Sequence, residues 1–150
     1  MITTRSWIIG LASVALLAGL AVVGNFNRRH TEGRCAFDGA GIDPLYRVRI
    51  LNEANESHEF CCIRCAESWL AKQKTPPRVI YVTDEATGEE IGVLGAYFVR
   101  SLVVTNFTTA NRIHAFGKKA DAQKHASLFK GTLLQDSQRP FAGAVPECVR

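Results

Sequence analysis

Residues 60–65 read FCCIRC, and this stretch restricts the fold more than any other part of the chain. It holds three of the five cysteines in 150 residues, and a fourth, Cys35, lies upstream at the head of CAFDGAGIDPL. Cys61 and Cys65 are spaced C-x3-C and Cys62 and Cys65 are spaced C-x2-C, and either spacing brings two sulfurs together at the start of a helix. At that point the unpaired backbone N–H groups and the helix dipole favour negative charge, which predicts lowered thiol pKa values. Thiolate is the form that binds a soft ion such as Zn²⁺ or Cu⁺, each coordinating sulfur giving up its proton.

The flanking sequence predicts how these sulfurs are carried. Tyr46–Leu51, YRVRIL, alternates apolar and basic residues as a strand does. NEANES is a loop of turn formers and HEF opens a second strand, which makes a hairpin. CCIRCAESWLAKQK then takes helical spacing through Ile63, Ala66 and Leu70 and is expected to run until Pro76-Pro77 stops it. Downstream, RVIYVTD is a strand, EATGEE a turn and IGVLGAYFVRS a second apolar run. RIHAFG is a short strand entering KKADAQKHASLF, where Ala122, Ala126 and Phe129 line one helix face, and GTLL closes the unit. HEFCCIRCAESWL and IHAFGKKADAQKHASLF share a strand, sharp turn and helix, which reads as a degenerate duplication: an α+β chain of two ββα-type, treble-clef-like modules. The first copy has cysteines at its turn and the second has Gly117, Lys118 and Lys119, so chemistry is expected in the first.

A hairpin can return Cys35 to the helix start, where it would converge with Cys61 and Cys65. Asp38, in CAFDG, supplies an oxygen ligand or a hydrogen-bond acceptor to complete the site, and Cys62 and His58 are the alternatives. Metal binding through Cys35, Cys61, Cys65 and either Cys62 or Asp38 is the leading reading. A structural disulfide from Cys35 to one of the trio, a dithiol redox pair at Cys62 and Cys65, and plain core packing compete with it. His114 is expected as a solvent-facing strand residue and His30 and His125 as solvated, while Cys148 stands near the end of a polar, two-proline tail expected to be loose from residue 135 onward. No Ser/His/Asp spacing, phosphate-binding loop or dinucleotide motif is present, which disfavours an enzyme. The net charge of +4 is spread out, without the dense basic patch a nucleic-acid partner would need.

Ahead of the modules, Trp7–Gly24 is eighteen residues without a charge, enough to span a bilayer as a helix. Gly19 and Ala21 offer only a weak cleavage site and no cysteine follows to carry a lipid, so residues 1–27 are expected as an uncleaved anchor and 28–34 as a linker. Arg28, Arg29 and Arg34 outnumber Arg5 ahead of the segment, which by charge would hold the domain in the cytoplasm. The short N-terminal tail before the apolar run has the form of an export signal, and on that ground the domain is expected on the extracytoplasmic side.

CAFDGAGI followed by HEFCCIRCAESWL resembles the TRASH and YHS class of treble-clef metal-binding modules, with a cysteine knuckle, a hairpin and Phe-Cys-x3-Cys opening a helix. With GAYFVRSLVV and IHAFGKKADAQKHASLFKGTLL added, residues 35–134 are similar to the NosL family, accessory copper chaperones of nitrous oxide reductase assembly. The resemblance implies two related ββα modules and a membrane-tethered carrier presenting copper to a client metalloprotein or a membrane assembly factor. Family members commonly place one methionine after the knuckle cysteine and another in the second module. Here the stretches read CAFDGAGI and TNFTTANR, and Met1 is the only methionine. Cysteines standing in for methionine thioether shift the implied cargo toward zinc or tightly held copper(I). The alternative is a structural zinc or disulfide-stapled interaction module without metal transfer.

Overall fold

Alternation of side chains along Val48–Leu51 places Val48 and Ile50 in the interior and Arg49 on the opposite face, the pattern of a half-buried strand. The computed structural model describes residues 33–144, so the expected anchor, most of the linker, His30 and Cys148 lie outside the described residues. Among the described residues no helix is long and apolar enough to cross a membrane. The elements are β1 (Val48–Leu51), β2 (Ser57–Phe60), α1 (Ile63–Leu70), β3 (Val79–Thr83), β4 (Glu90–Gly92), β5 (Tyr97–Arg100), β6 (Ile113–Phe116), α2 (Lys119–Leu128) and β7 (Thr132–Leu134). Among the described residues the architecture is α+β, with two small antiparallel sheets and two helices.

The first sheet runs β2-β1-β3-β4 and the second β6-β5-β7. Stripped of β4, the two have one topology: a hairpin, a helix, and a third strand that returns to the free side of the first. The duplication extends to side chains. Each helix begins three positions after a buried phenylalanine, Phe60 before Ile63 and Phe116 before Lys119. His58 stacks on Trp69 at 4.7 Å between ring centroids, and at the matching positions His114 stacks on His125 at 4.2 Å. Phe60–Trp69 and Phe116–His125 form a second matched contact, at 5.3 and 5.2 Å.

Several expectations need correcting. RVIYVTD does not open the second module; as β3 it closes the first sheet against β1, pairing Val82 with Val48 and Ile80 with Ile50. IGVLGAYFVRS is not one strand, because a single turn of 3₁₀ helix at Val93–Gly95 divides it into β4 of one sheet and β5 of the other. Helix α1 stops at Leu70, short of the prolines. Lys72 N–H and Gln73 N–H make tighter bonds to Trp69 O and Leu70 O, and the Gln73 side-chain amide also donates to Trp69 O, satisfying carbonyls the helix leaves free. Residues 135–144, expected as the start of a loose tail, pack on the domain: Phe141 is buried, and the Arg139 guanidinium donates to the carbonyls of Val93, Leu94 and Ala96 at 3.2, 3.4 and 3.0 Å.

The main core joins Val48, Ile50, Phe60, Ile80 and Val82 of the first sheet to Phe98, Ala115 and Leu134 of the second. A smaller cluster of Val99, Phe116 and Ala122 lies under α2. Phe98 and Val99 are adjacent on β5 and point oppositely, so the second sheet is buried on both faces. The outer face of the first sheet is polar, with Arg49 paired to Glu90 and 4.5 Å above the Tyr81 ring.

Candidate metal centre

The knuckle around Cys35 is built by backbone bonds. Gly39, at φ +73°, reverses the chain so that Gly39 N–H reaches Cys35 O and Cys35 N–H reaches Ala40 O, both at 2.8 Å. Asp38 Oδ1 accepts from Ala40 N–H at 3.0 Å, which sets the carboxylate toward the knuckle mouth. Ala36 N–H donates to Glu59 O at 2.8 Å and ties the knuckle to β2, one residue before Phe60 and the cysteine turn. The predicted order of knuckle, hairpin and helix is therefore realised, and it carries Cys35 to the mouth of α1.

One ligand atom from each of Cys35, Asp38, Cys61 and Cys65 lies within 4.8 Å of all the others. Cys65 Sγ is 3.2 Å from Asp38 Oδ2; Cys61 Sγ is 3.6 Å from Cys65 Sγ and 3.8 and 3.9 Å from the two Asp38 oxygens. A tetrahedral ion with metal–sulfur bonds of about 2.3 Å and a metal–oxygen bond of about 2.1 Å spaces its sulfurs ~3.8 Å apart and sulfur from oxygen ~3.6 Å. The spacings among Cys61, Cys65 and Asp38 are close to these values and Cys35 lies within 4.8 Å of each, so the donor set suits a thiophilic ion in chemistry and in reach. The three sulfurs are buried and the carboxylate is exposed, so the cluster opens to solvent on the Asp38 side.

Cys62, weighed as the fourth ligand, is outside the group. It is the N-cap residue of α1, in extended conformation, and its sulfur turns away from that of its neighbour to share a hydrogen bond with Thr109 Oγ1 at 3.3 Å. His58 is also absent from the cluster, being stacked on Trp69. Cys35, Cys61, Cys62 and Cys65 are all free thiols, so no disulfide staples this part of the chain.

The predicted lowering of thiol pKa does not occur at Cys61 or Cys65. Burial pushes both Cys61 and Cys65 far above the ordinary thiol value; the hydrogen bond to Asp38 raises Cys65 further. Asp38 moves the other way: burial pulls it up, but hydrogen bonds from Cys35, the Ala40 N–H, Cys65 and Cys61 prevail and hold it below its ordinary value. The metal-free cluster has an ionised carboxylate at Asp38 accepting from the protonated thiols of Cys61 and Cys65.

Some contacts were invisible in the sequence. Asn106 Nδ2–H donates to Cys61 Sγ at 3.3 Å and the Arg64 guanidinium donates to Thr109 O at 2.8 Å, so the β5–β6 loop of the second module abuts the cysteine turn of the first. TNFTTANR offers only turn-forming residues as a signal, and its destination depends on packing between modules. His114, expected at the surface, is 1% exposed, with Nδ1 2.8 Å from Glu85 Oε2 and Nε2 3.2 Å from Val103 O. His125 is likewise packed rather than solvated, against His114, Phe116 and Phe129. In the second module Gly117, Lys118 and Asp121 occupy the positions of Cys61, Cys62 and Cys65, leaving that copy without sulfur.

Among solved structures the chain is similar to the copper chaperone NosL from Shewanella denitrificans, with a TM-score of 0.57 and 18% identity over 69% of this chain and 86% of that one. The fold is that of NosL. No family model matches the chain, and no curated protein matches it in sequence.

Proposed function

We propose that this chain is a NosL-like metal carrier, not an enzyme, which takes up a soft ion and hands it to a client metalloprotein. The convergence of Cys35, Cys61 and Cys65 with Asp38 carries this reading. Three buried sulfurs hold the cargo, and the exposed carboxylate is the ligand an acceptor can displace, since a closed cage of four protein ligands would retain its ion. Copper is the metal named for the structural neighbour, and its soft Cu⁺ form suits three thiolates; zinc suits the full set of sulfurs and carboxylate. Residues 1–27 would tether the carrier to a membrane through the 28–34 linker, with the 35–134 metal-binding domain on the extracytoplasmic side, where an assembly factor could receive it.

A structural zinc domain would need its ion to fold. Here the core of Val48, Ile50, Phe60, Ile80, Val82 and Phe98 is closed by apolar packing beyond the sulfurs, which favours a carrier that stays folded when emptied. The test is elemental analysis of the wild type and the Cys61→Ser/Cys65→Ser double variant after loading with Cu⁺ or Zn²⁺, with circular dichroism before and after chelation. The variant is expected to lose the ion and the stripped wild type to keep its spectrum. Full stoichiometry in the variant rejects the site, and unfolding on chelation rejects the carrier in favour of structural zinc.

A further inference from the structure

We propose that Asn106, from the second module, is a positioning residue for the cysteine cluster and sets how fast the bound ion leaves. This deepens the carrier reading and rests on it. The Asn106 amide donates through Nδ2 to Cys61 Sγ at 3.3 Å. Its orientation is determined at its other end, because Oδ1 accepts from Thr109 N–H at 3.0 Å and the donor must therefore face the sulfur.

The loop that presents Asn106 is braced along its length. Asn106 and Asn111 form an antiparallel bridge, with Asn111 N–H donating to Asn106 O at 3.1 Å and Thr105 N–H to Asn111 O at 2.8 Å. Near its tip, Thr109 meets the Arg64 guanidinium through its carbonyl and Cys62 Sγ through its hydroxyl. At its root Val103 O accepts from His114 Nε2, and the His114 ring is clasped by Glu85 of the β3–β4 turn. A sulfur ligand of the first module is thus held by a donor from the second, in a loop that residues of both modules brace.

When an ion occupies the cluster, Cys61 is a thiolate, and an N–H donor to a charged sulfur makes a stronger hydrogen bond than one to a neutral thiol. The bond orients the thiolate toward the ion and opposes the swing of the Cys61 side chain that release requires. Losing it should speed release by about tenfold, the order of one charge-assisted hydrogen bond. The second module has no sulfur at its own turn, and this donor is what it contributes to the cluster.

Asn106→Asp is the decisive variant. It keeps the acceptor for Thr109 N–H and the side-chain shape, but turns an acceptor toward Cys61. Asn106→Leu is the uncharged companion. The full chain is loaded with Cu⁺ and release to bathocuproine disulfonate is followed by absorbance; in parallel the sulfur-to-metal charge-transfer band is recorded with Co²⁺ in the site. Both variants are expected to release Cu⁺ about tenfold faster and to shift the Co²⁺ band. Wild-type rates with an unshifted band in both overturn the role of Asn106. If Cys61→Ser/Cys65→Ser meanwhile abolishes loading, the carrier reading survives that failure; if the double variant still loads fully, the carrier reading itself is what has failed.

Discussion

Loading the cluster must expel protons. Burial holds Cys61 and Cys65 protonated at neutral pH, whereas Asp38 is already ionised and releases none. A metal-bound sulfur is a thiolate, so each ion that binds displaces a proton from each of these two buried thiols. Every displaced proton makes apparent affinity about tenfold stronger per pH unit, equivalent to about 1.4 kcal/mol. These two protons alone make the rise at least about a hundredfold per unit, with affinity increasing as pH increases. Competition for Zn²⁺ against a chelator of known pH dependence, between about pH 6.5 and 8.5, reads that slope. Calorimetry in buffers of different ionisation enthalpy counts the protons directly. Fewer than one proton per ion, or an affinity flat across that range, would refute the reasoning, and it is the result expected had the helix start stabilised preformed thiolates.

Two further perturbations test the packing around the site. At Gly131 a Cβ would lie 2.8 Å from Val99 Cγ1, 3.0 Å from Ser101 Cβ and 3.1 Å from Arg100 O, so Gly131→Ala should lower the midpoint of urea unfolding, by about 1–3 kcal/mol of stability; an unchanged midpoint contradicts the close approach. At His125, burial and then the neighbouring His114 hold the pKa below its ordinary value, so the folded state binds fewer protons than the unfolded chain just below that value. Its contribution is therefore complete above about pH 6.5 and is lost as pH falls from there through the folded-state pKa. Urea melts across that window should show the loss in the wild type and a flatter profile in His125→Gln; identical profiles would rule out His125 as the source.

Much of the local structure was legible because it depends on neighbours in sequence. YRVRIL has period two and β1 is a strand; NEANES closes the hairpin, with Asn55 at φ +59° in the left-handed region that asparagine tolerates. The likeness of the two modules is visible in outline, yet the sequence order puts RVIYVTD with the second module whereas β3 belongs to the first, since it pairs with a strand across a helix and nothing local names its partner. IGVLGAYFVRS misled for a related reason: an apolar run is common to one long strand and to two short ones buried in different sheets. His114 looked like a surface residue because histidine is polar, but Glu85 and Val103, both distant in the chain, satisfy its ring inside the protein.

By itself the sequence determined the supply of candidate ligands and where two of them start: C-x3-C at a helix mouth follows from spacing, and so does a knuckle at Cys35, because turn and helix geometry are local. Only the tertiary structure decided that Asp38 rather than Cys62 joins Cys35, Cys61 and Cys65, that burial keeps Cys61 and Cys65 protonated, and that Asn106 reaches in from the other module. Side-chain direction at a helix start, desolvation of a sulfur and contact between modules arise when separate elements pack and exclude water, and no spacing along the chain specifies them.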